Sequence, residues 1–347
     1  MSLNINNFVL DIDMSLMSML SKIDRFDALW ASTEKREAIN LNKLKLMALV
    51  NSSGASTRME GSKMTDEEVA ALIENINKST LSEKDQQKVA GYFETLDSIV
   101  KGHESIKISE SQIKNLHQLL LKHVEKDAWH RGQYKLVSNS ITEDLPNGAR
   151  QIIIKRSDPG LQTEEAMLSL INWYNNDQET LPLIKVAVFV YEFLSIHPFQ
   201  VGNGRLSRLL TALLLLKNGY TWISYESLEW EIESRKSHYD TILNGAQQNN
   251  QNRNVTAFLM FFLDCLYALQ GKLTSKTEQA ERPIKMLSQR EQKMLLFIQH
   301  HPGFRSGEIA SKLEMALPTV KKSLSEMVFK EIISKEGNGK ATVYFPT

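Results

Sequence analysis

Cysteine is nearly absent from this chain: 347 residues hold one, Cys265. An internal disulfide framework is excluded, and a reducing compartment is expected. Net charge is also missing, since 41 Lys and Arg balance 41 Asp and Glu. A surface that binds nucleic acid over its whole extent is excluded, whereas a local basic module is not. No N-terminal stretch joins basic residues to a long apolar core, so no signal peptide is expected. Long hydrophobic runs are scarce too. Residues 209–216 and 255–269 fall short of the ~20 residues a membrane span needs, and the second carries Asp264. Both are expected as core helices of a cytoplasmic protein with no membrane contact. A hydrophobic fraction of 42% supports a real core, and the length suits one large domain plus one or two small ones.

Helical periodicity dominates what is there. Apolar positions three and four apart predict helices at 34–50, 65–78, 81–101 and 109–126, with Thr65 and Glu68 as a capping box. Around 133–156 the pattern turns strand-like: Tyr134, Leu136, Val137 and Ile152 to Ile154 flank Pro146-Asn147-Gly148, which predicts an extended hairpin or a loop with strand edges. Helices resume at 162–177, 182–196, 205–218, 229–250 and 254–271. A polar stretch at 274–283, closed by Pro283, reads as a linker. Beyond it, helices at 288–300, 306–313 and 318–328 precede two short apolar strands around Gly337-Asn338-Gly339. That order is a winged helix-turn-helix pattern.

The richest stretch is residues 197–208, His-Pro-Phe-Gln-Val-Gly-Asn-Gly-Arg-Leu-Ser-Arg, set between two apolar helices. Glycines there allow positive φ and close backbone approach. N–H groups at the start of the following helix face any anion placed before them, and the helix dipole favours negative charge. Arg205 and Arg208 are three apart and share a helix face. Two guanidinium forks beside such donors suit a di- or triphosphate. His197, just before the cradle, can take a proton from an attacking hydroxyl.

The stretch resembles the Fic family signature H-P-F-x-[D/E]-G-N-G-R-x-x-R at every position but one, and the resemblance extends over about residues 30–270. It implies a mainly α fold, a Fic helical bundle with a short β-hairpin flap, joined here to a C-terminal winged helix domain. It implies transfer of AMP from ATP to a Tyr, Ser or Thr hydroxyl of a target protein. His197, Asn203 and Arg205 become the catalytic residues. The residues facing ATP and its phosphates become Glu60, His197, Gly202, Asn203, Gly204, Arg205, Leu206, Ser207, Arg208 and Tyr239, with Asn203 orienting the α-phosphate. The departure is Val201, where the family carries an acid that ligates magnesium. Mg²⁺ or Mn²⁺ is then expected through the phosphates, with no protein metal ligand, and activity is expected to be weak.

Upstream, residues 56–61 read Ser-Thr-Arg-Met-Glu-Gly and resemble the family's inhibitory motif [S/T]-x-x-x-E-[G/N]. Ser56, Glu60 and Gly61 carry it. Glu60 at a helix C-terminus faces the wrong end of the dipole and seeks a cation, for which the resemblance implies Arg208. The flap would dock the target along Ile152, Ile153, Ile154 and Lys155 as an added strand.

Residues 284–347 hold ten Lys and Arg against six Asp and Glu. Thr319, Lys321, Lys322 and Ser323 are the candidate DNA contacts, with protein docking as the alternative. The expected organisation is an N-terminal helical region at 1–100, a Fic core at 101–273, a linker at 274–283 and the winged helix at 284–347. The expected partners are ATP, a target protein, DNA or protein through 284–347, and a second copy of the chain as a homodimer. The competing function is a nucleotide-sensing, DNA-binding transcriptional regulator with an impaired Fic core.

Overall fold

The computed structural model describes residues 2–5, 8–36, 38–76, 81–144, 150–248, 254–285, 287–330 and 332–346. It divides into two compact units, Met1–Gly271 and Lys272–Thr347. The first opens with an antiparallel pair, β1 (Ser2–Ile5) and β2 (Phe8–Asp11), followed by α1 (Met14–Arg36), α2 (Ala38–Met59), α3 (Asp66–Glu74), α4 (Lys84–Gly102) and α5 (Glu110–Leu120). Then come β3 (Ile141–Asp144), β4 (Arg150–Ile154), α6 (Leu161–Asn176), α7 (Pro182–Ile196), α8 (Asn203–Lys217), α9 (Leu228–Ser234), α10 (Lys236–Gln248) and α11 (Thr256–Lys285). The regions expected at 1–100 and 101–273 thus fold as one body.

The centre is α7 and α8, because each carries a long apolar run that must be buried. Val186, Phe189 and Phe193 of α7 and Leu206, Leu209, Leu210, Leu214 and Leu215 of α8 have no exposed surface beyond 0%. Pro182 sits in the first turn of α7, where its missing N–H costs nothing. Helix α2 packs on α4, α8 and α9, which carries the end of α2 to the start of α8. The capping box of α3 forms: Thr65 N donates to Glu68 at 2.8 Å and Glu68 N to Thr65 Oγ1 at 3.3 Å. Helix α11 contains a 22-residue stretch, Thr256–Thr277, long and apolar enough to cross a bilayer. Its Leu259, Leu263, Leu266, Leu269 and Leu273 are nevertheless fully buried in protein.

The stretch at 274–283, expected as a linker, is helical and continues α11 to Lys285; its Lys, Glu, Gln and Ala are good helix formers despite their polarity. The hairpin is shorter than expected. Strands span only β3 and β4, with Ile141 opposite Ile154 and Thr142 opposite Ile152. Leu136 and Val137 are exposed outside any strand, and Tyr134 instead bridges Phe199. The Pro146-Asn147-Gly148 turn lies outside the described residues.

The second unit follows with α12 (Gln289–His300), β5 (Phe304–Arg305), α13 (Ser306–Lys312), α14 (Leu317–Phe329), β6 (Ile333–Glu336) and β7 (Val343–Pro346). The three strands form one antiparallel sheet in the order β5-β7-β6. Met294, Ile298, Ile309, Val320, Leu324 and Met327 make its core. On α14, Lys321 and Lys322 are exposed while Thr319 and Ser323 are half-buried.

Candidate functional site

Helix α7 ends at a strained residue. His197 is left-handed, with φ 53° and ψ 59°, a conformation that costs a branched or bulky side chain about 1 kcal/mol or more. Long-range donors hold it there. Lys135 Nζ donates to the carbonyls of Ile196 and His197, both at 3.0 Å, and Asn139 Nδ2 to those of His197 at 3.1 Å and Phe199 at 3.0 Å. Arg156 Nη1 donates to Leu194 O at 2.8 Å. Two buried cations therefore sit at the negative end of α7. Burial pushes Lys135 down to about 8 and Arg156 down to about 10.

His197 Nδ1 lies 3.3 Å from Leu194 O. A carbonyl only accepts, so Nδ1 carries the proton and Nε2 keeps its lone pair. Burial, reinforced by the charges of Arg156 and Lys135, lowers its pKa to about 4. The ring is a neutral base near pH 7.

Below it the loop is plugged by Phe199, fully buried, with its ring stacked on His117 at 3.8 Å. His117 has a specific task. Gly132 N donates to Nδ1 at 3.0 Å, so Nε2–H donates to Val201 O at 3.0 Å. Burial lowers this ring to about 4 as well. Asn203 Oδ1 accepts from Phe199 N at 2.9 Å, and its Nδ2 donates to Phe199 O at 2.6 Å. Both ends of the Asn203 amide, expected to orient an α-phosphate, brace the loop on Phe199.

Gly202, at φ 82°, turns the chain into α8. The first intrahelical bond runs from Leu206 N to Gly202 O at 2.9 Å. The N–H groups of Asn203, Gly204 and Arg205 precede it and face forward, as at any helix start. Leu206 and Ser207 were expected as phosphate ligands, and the structure places them elsewhere. Leu206 has its N–H in the helix and its side chain in the core, and Ser207 Oγ donates to Gly204 O at 2.7 Å.

The two arginines differ sharply. Arg205 is 5% exposed, and among the described residues its Nε and Nη1 have no acceptor. Arg208 is fully engaged by the end of α2. Its Nε donates to Ser56 Oγ at 2.7 Å, and its Nη2 to Ser56 O and to Glu60 Oε1, both at 3.0 Å. Burial would raise the Glu60 carboxyl, but Arg208 outweighs it and holds the group below the usual carboxylate range. Gly61 ends the helix at φ 88°, its N–H bonded to Arg58 O at 2.9 Å. A Cβ at Gly204 would lie 2.3 Å from Glu60 Oε1. The carboxylate therefore rests on the first turn of α8, where an anion is favoured.

One residue of this segment was not singled out in the sequence. Arg58 Nε and Nη2 grip Glu233 of α9 at 2.7 and 2.8 Å, and Nη1 grips Asp66 of α3 at 2.8 Å. This fork fastens the turn that carries Glu60.

These groups border one cleft of about 450 Å³, lined by Glu60, His197, Gly202, Asn203, Gly204, Arg205, Arg208 and Tyr239, together with Lys84, Lys88, Asp127 and Arg156. Tyr239 is 9% exposed and packs on Phe261. The flap residues divide: Ile152 is 54% exposed, Ile154 is 2% exposed and faces the core, and Lys155 borders a separate cavity with Gln162 and Gln247. Ile154 therefore offers a docking strand its backbone only. Among the described residues no three His, Cys, Asp or Glu are grouped to hold a metal ion.

Comparison with known proteins places this geometry. Residues 107–215 match the Fic/DOC family. The chain is 26% identical over 186 residues to the protein adenylyltransferase Fic of Culex quinquefasciatus, covering 53% of this chain and 33% of the relative. It is 25% identical over 281 residues to that of Drosophila mojavensis, covering 78% and 50%. The chain thus spans a third to a half of the curated relatives it matches. Among solved structures, a Fic family protein from Desulfovibrio desulfuricans G20 superimposes with a TM-score of 0.66 over 97% of both chains at 20% identity. A Fic domain containing signaling protein from Bacteroides thetaiotaomicron gives 0.58 over 72% of this chain and 94% of that one at 23% identity. The fold is that of these Fic structures.

Proposed function

We propose that this chain is a cytoplasmic protein adenylyltransferase restrained by its own Glu60. ATP lies in the 450 Å³ cleft, with its phosphates before the first turn of α8 and on Arg205 and Arg208. A Tyr, Ser or Thr hydroxyl of a target protein, docked along β4, attacks the α-phosphorus. The new P–O bond forms as the bond to diphosphate breaks, and His197 Nε2 takes the hydroxyl proton. A positioned base of this kind contributes ~10²–10⁴-fold. Arg205 meets charge as it develops on the phosphates. Glu60 opposes the reaction by holding Arg208 and occupying the anion-favouring turn.

The observation that carries this reading is the Arg205 side chain. A buried guanidinium with two unpaired donors is costly, at about 1–3 kcal/mol per unmet group, unless an anion meets it. Incubation of the Glu60→Gly chain with α-labelled ATP and a cell lysate tests it. Label on protein, lost in Glu60→Gly/His197→Ala, supports the transferase. ATP binding without labelled protein rejects it.

Val201 favours a second reading, in which an impaired cleft senses nucleotide and the second unit carries the output. There the second unit is a winged helix, with α14 as recognition helix and Thr319, Lys321, Lys322 and Ser323 as DNA contacts. Its antiparallel β5-β7-β6 sheet and the exposed lysines of α14 support it. Salt-dependent retention of duplex DNA by the full chain tests it; no retention at low salt rejects it.

A further inference from the structure

The resemblance implies a divalent metal on the nucleotide phosphates, and the residues present do not fit one. Position 201 offers no side-chain oxygen, and its backbone carbonyl already accepts from His117 Nε2 at 3.0 Å. Of the cleft's three carboxylates, Glu60 is on Arg208 at 3.0 Å and Asp240 is on Lys236 at 2.6 Å. Asp127 lies in the field of Arg205 and steadies its charge. Among the described residues no three His, Cys, Asp or Glu are grouped to hold a metal ion, so a divalent cation here would rest on phosphate and water oxygens alone.

Positive side chains are assembled instead. Lys84 and Lys88, one turn apart on α4, line the cleft with Arg156, Arg205 and Arg208. The Lys88 side chain is only 14% exposed, with Nζ 3.6 Å from its neighbour Asp85. Arg156 is 7% exposed, and among the described residues its Nε has no acceptor, like Nε and Nη1 of Arg205. Two buried, under-bonded guanidinium groups lining one cleft favour a strong anion that is not already neutralised. A metal-bound triphosphate would bring a further dication into this cationic field, at a Coulombic cost.

We infer that the cleft takes a nucleoside polyphosphate in its metal-free form, with Lys84, Lys88 and Arg156 supplying the positive charge a divalent cation would bring. The inference rests on the reading of the cleft as a nucleotide site. It differs from that reading in the form of nucleotide that binds.

The test is a calorimetric titration of the full Glu60→Gly chain with ATP, once in excess EDTA and once in Mg²⁺. Affinity in EDTA should equal or exceed that in Mg²⁺. Lys84→Met/Lys88→Met should weaken binding in EDTA by about tenfold or more, the effect of losing one or two strong charge contacts, whereas Lys84→Arg/Lys88→Arg should keep it. An unchanged thermal unfolding midpoint in the methionine variant ties its loss to charge. Mg²⁺ tightening the parent by about tenfold, with that gain removed by Asp127→Asn, would overturn the inference and place a cation at Asp127. Methionine variants that bind as the parent does in EDTA would overturn it as well. Absence of ATP binding under both conditions would overturn the nucleotide reading itself.

Discussion

Replacing Arg58 by alanine should activate the chain although Arg58 touches neither the phosphate cradle nor His197. Its guanidinium makes three charge-assisted bonds, two to Glu233 and one to Asp66, at 2.7–2.8 Å. The side chains are 21%, 23% and 44% exposed, so solvent screening discounts each bond. A bidentate, partly buried fork with a third partner is then worth about 1.5–2 kcal/mol. If the fork exists only while the last turn of α2 is docked, its loss shifts the docked-to-released equilibrium by about 10- to 30-fold. Self-labelling with α-labelled ATP, followed as an initial rate, reads this directly. Glu233→Gln should activate less, because Asp66 remains, and should add little on top of Arg58→Ala, because both break the same contact. Raising NaCl should activate the parent and leave Arg58→Ala flat. If Arg58→Ala stays at the parent rate while Glu60→Gly rises, the fork does not hold the inhibitory turn and the argument fails.

The two depressed histidines make folding pH-dependent. Unfolded histidine titrates near 6.5, while His117 and His197 are each held to about 4 by burial. Their stabilisation is complete above pH ~6.5 and lost as pH falls to ~4, by roughly 3 kcal/mol per ring at the lower end; urea unfolding at pH 7, 6 and 5 should show it, and a flat profile would contradict it. His117→Ala removes the stack on Phe199 and the bond to Val201 O, and should cost about 2–4 kcal/mol of stability in the same assay. It should also lower transfer in a Glu60→Gly background, because the loop before α8 loses its brace.

The cleft was legible where local spacing carries meaning. The apolar runs on either side of residues 197–208 forced two buried helices, and the spacing of Arg205 and Arg208 put them on one face. The Ser56–Glu60 turn met Arg208 as its end-of-helix charge required. What stayed hidden is held by contacts distant in sequence. His117 reaches Val201 across 84 residues, Lys135 reaches His197 across 62, and Arg156 reaches Leu194 across 38. No periodicity announces such pairs, so three of the groups that shape His197 and its loop read as ordinary residues. The motif gave no sign of a second task for Asn203, whose amide closes a turn onto Phe199. The helicity of 274–283 was not read from the sequence, because Lys, Glu and Gln suit a helix as well as a linker. Residues 1–33 offered no motif, yet 2–5 and 8–11 pair as strands and α1 follows, with Leu16 and Ile23 fully buried.

Everything above turns on His197 acting as a base in a cleft that Glu60 restrains. The most direct measurement is the initial rate of AMP incorporation from α-labelled ATP by the parent chain, by Glu60→Gly and by Glu60→Gly/His197→Ala, with ATP affinity measured in parallel. The account predicts a rate that rises in the first variant and falls by about 10²-fold or more in the second with ATP still bound. Equal rates in the two variants, or no incorporation by Glu60→Gly despite bound ATP, would contradict it.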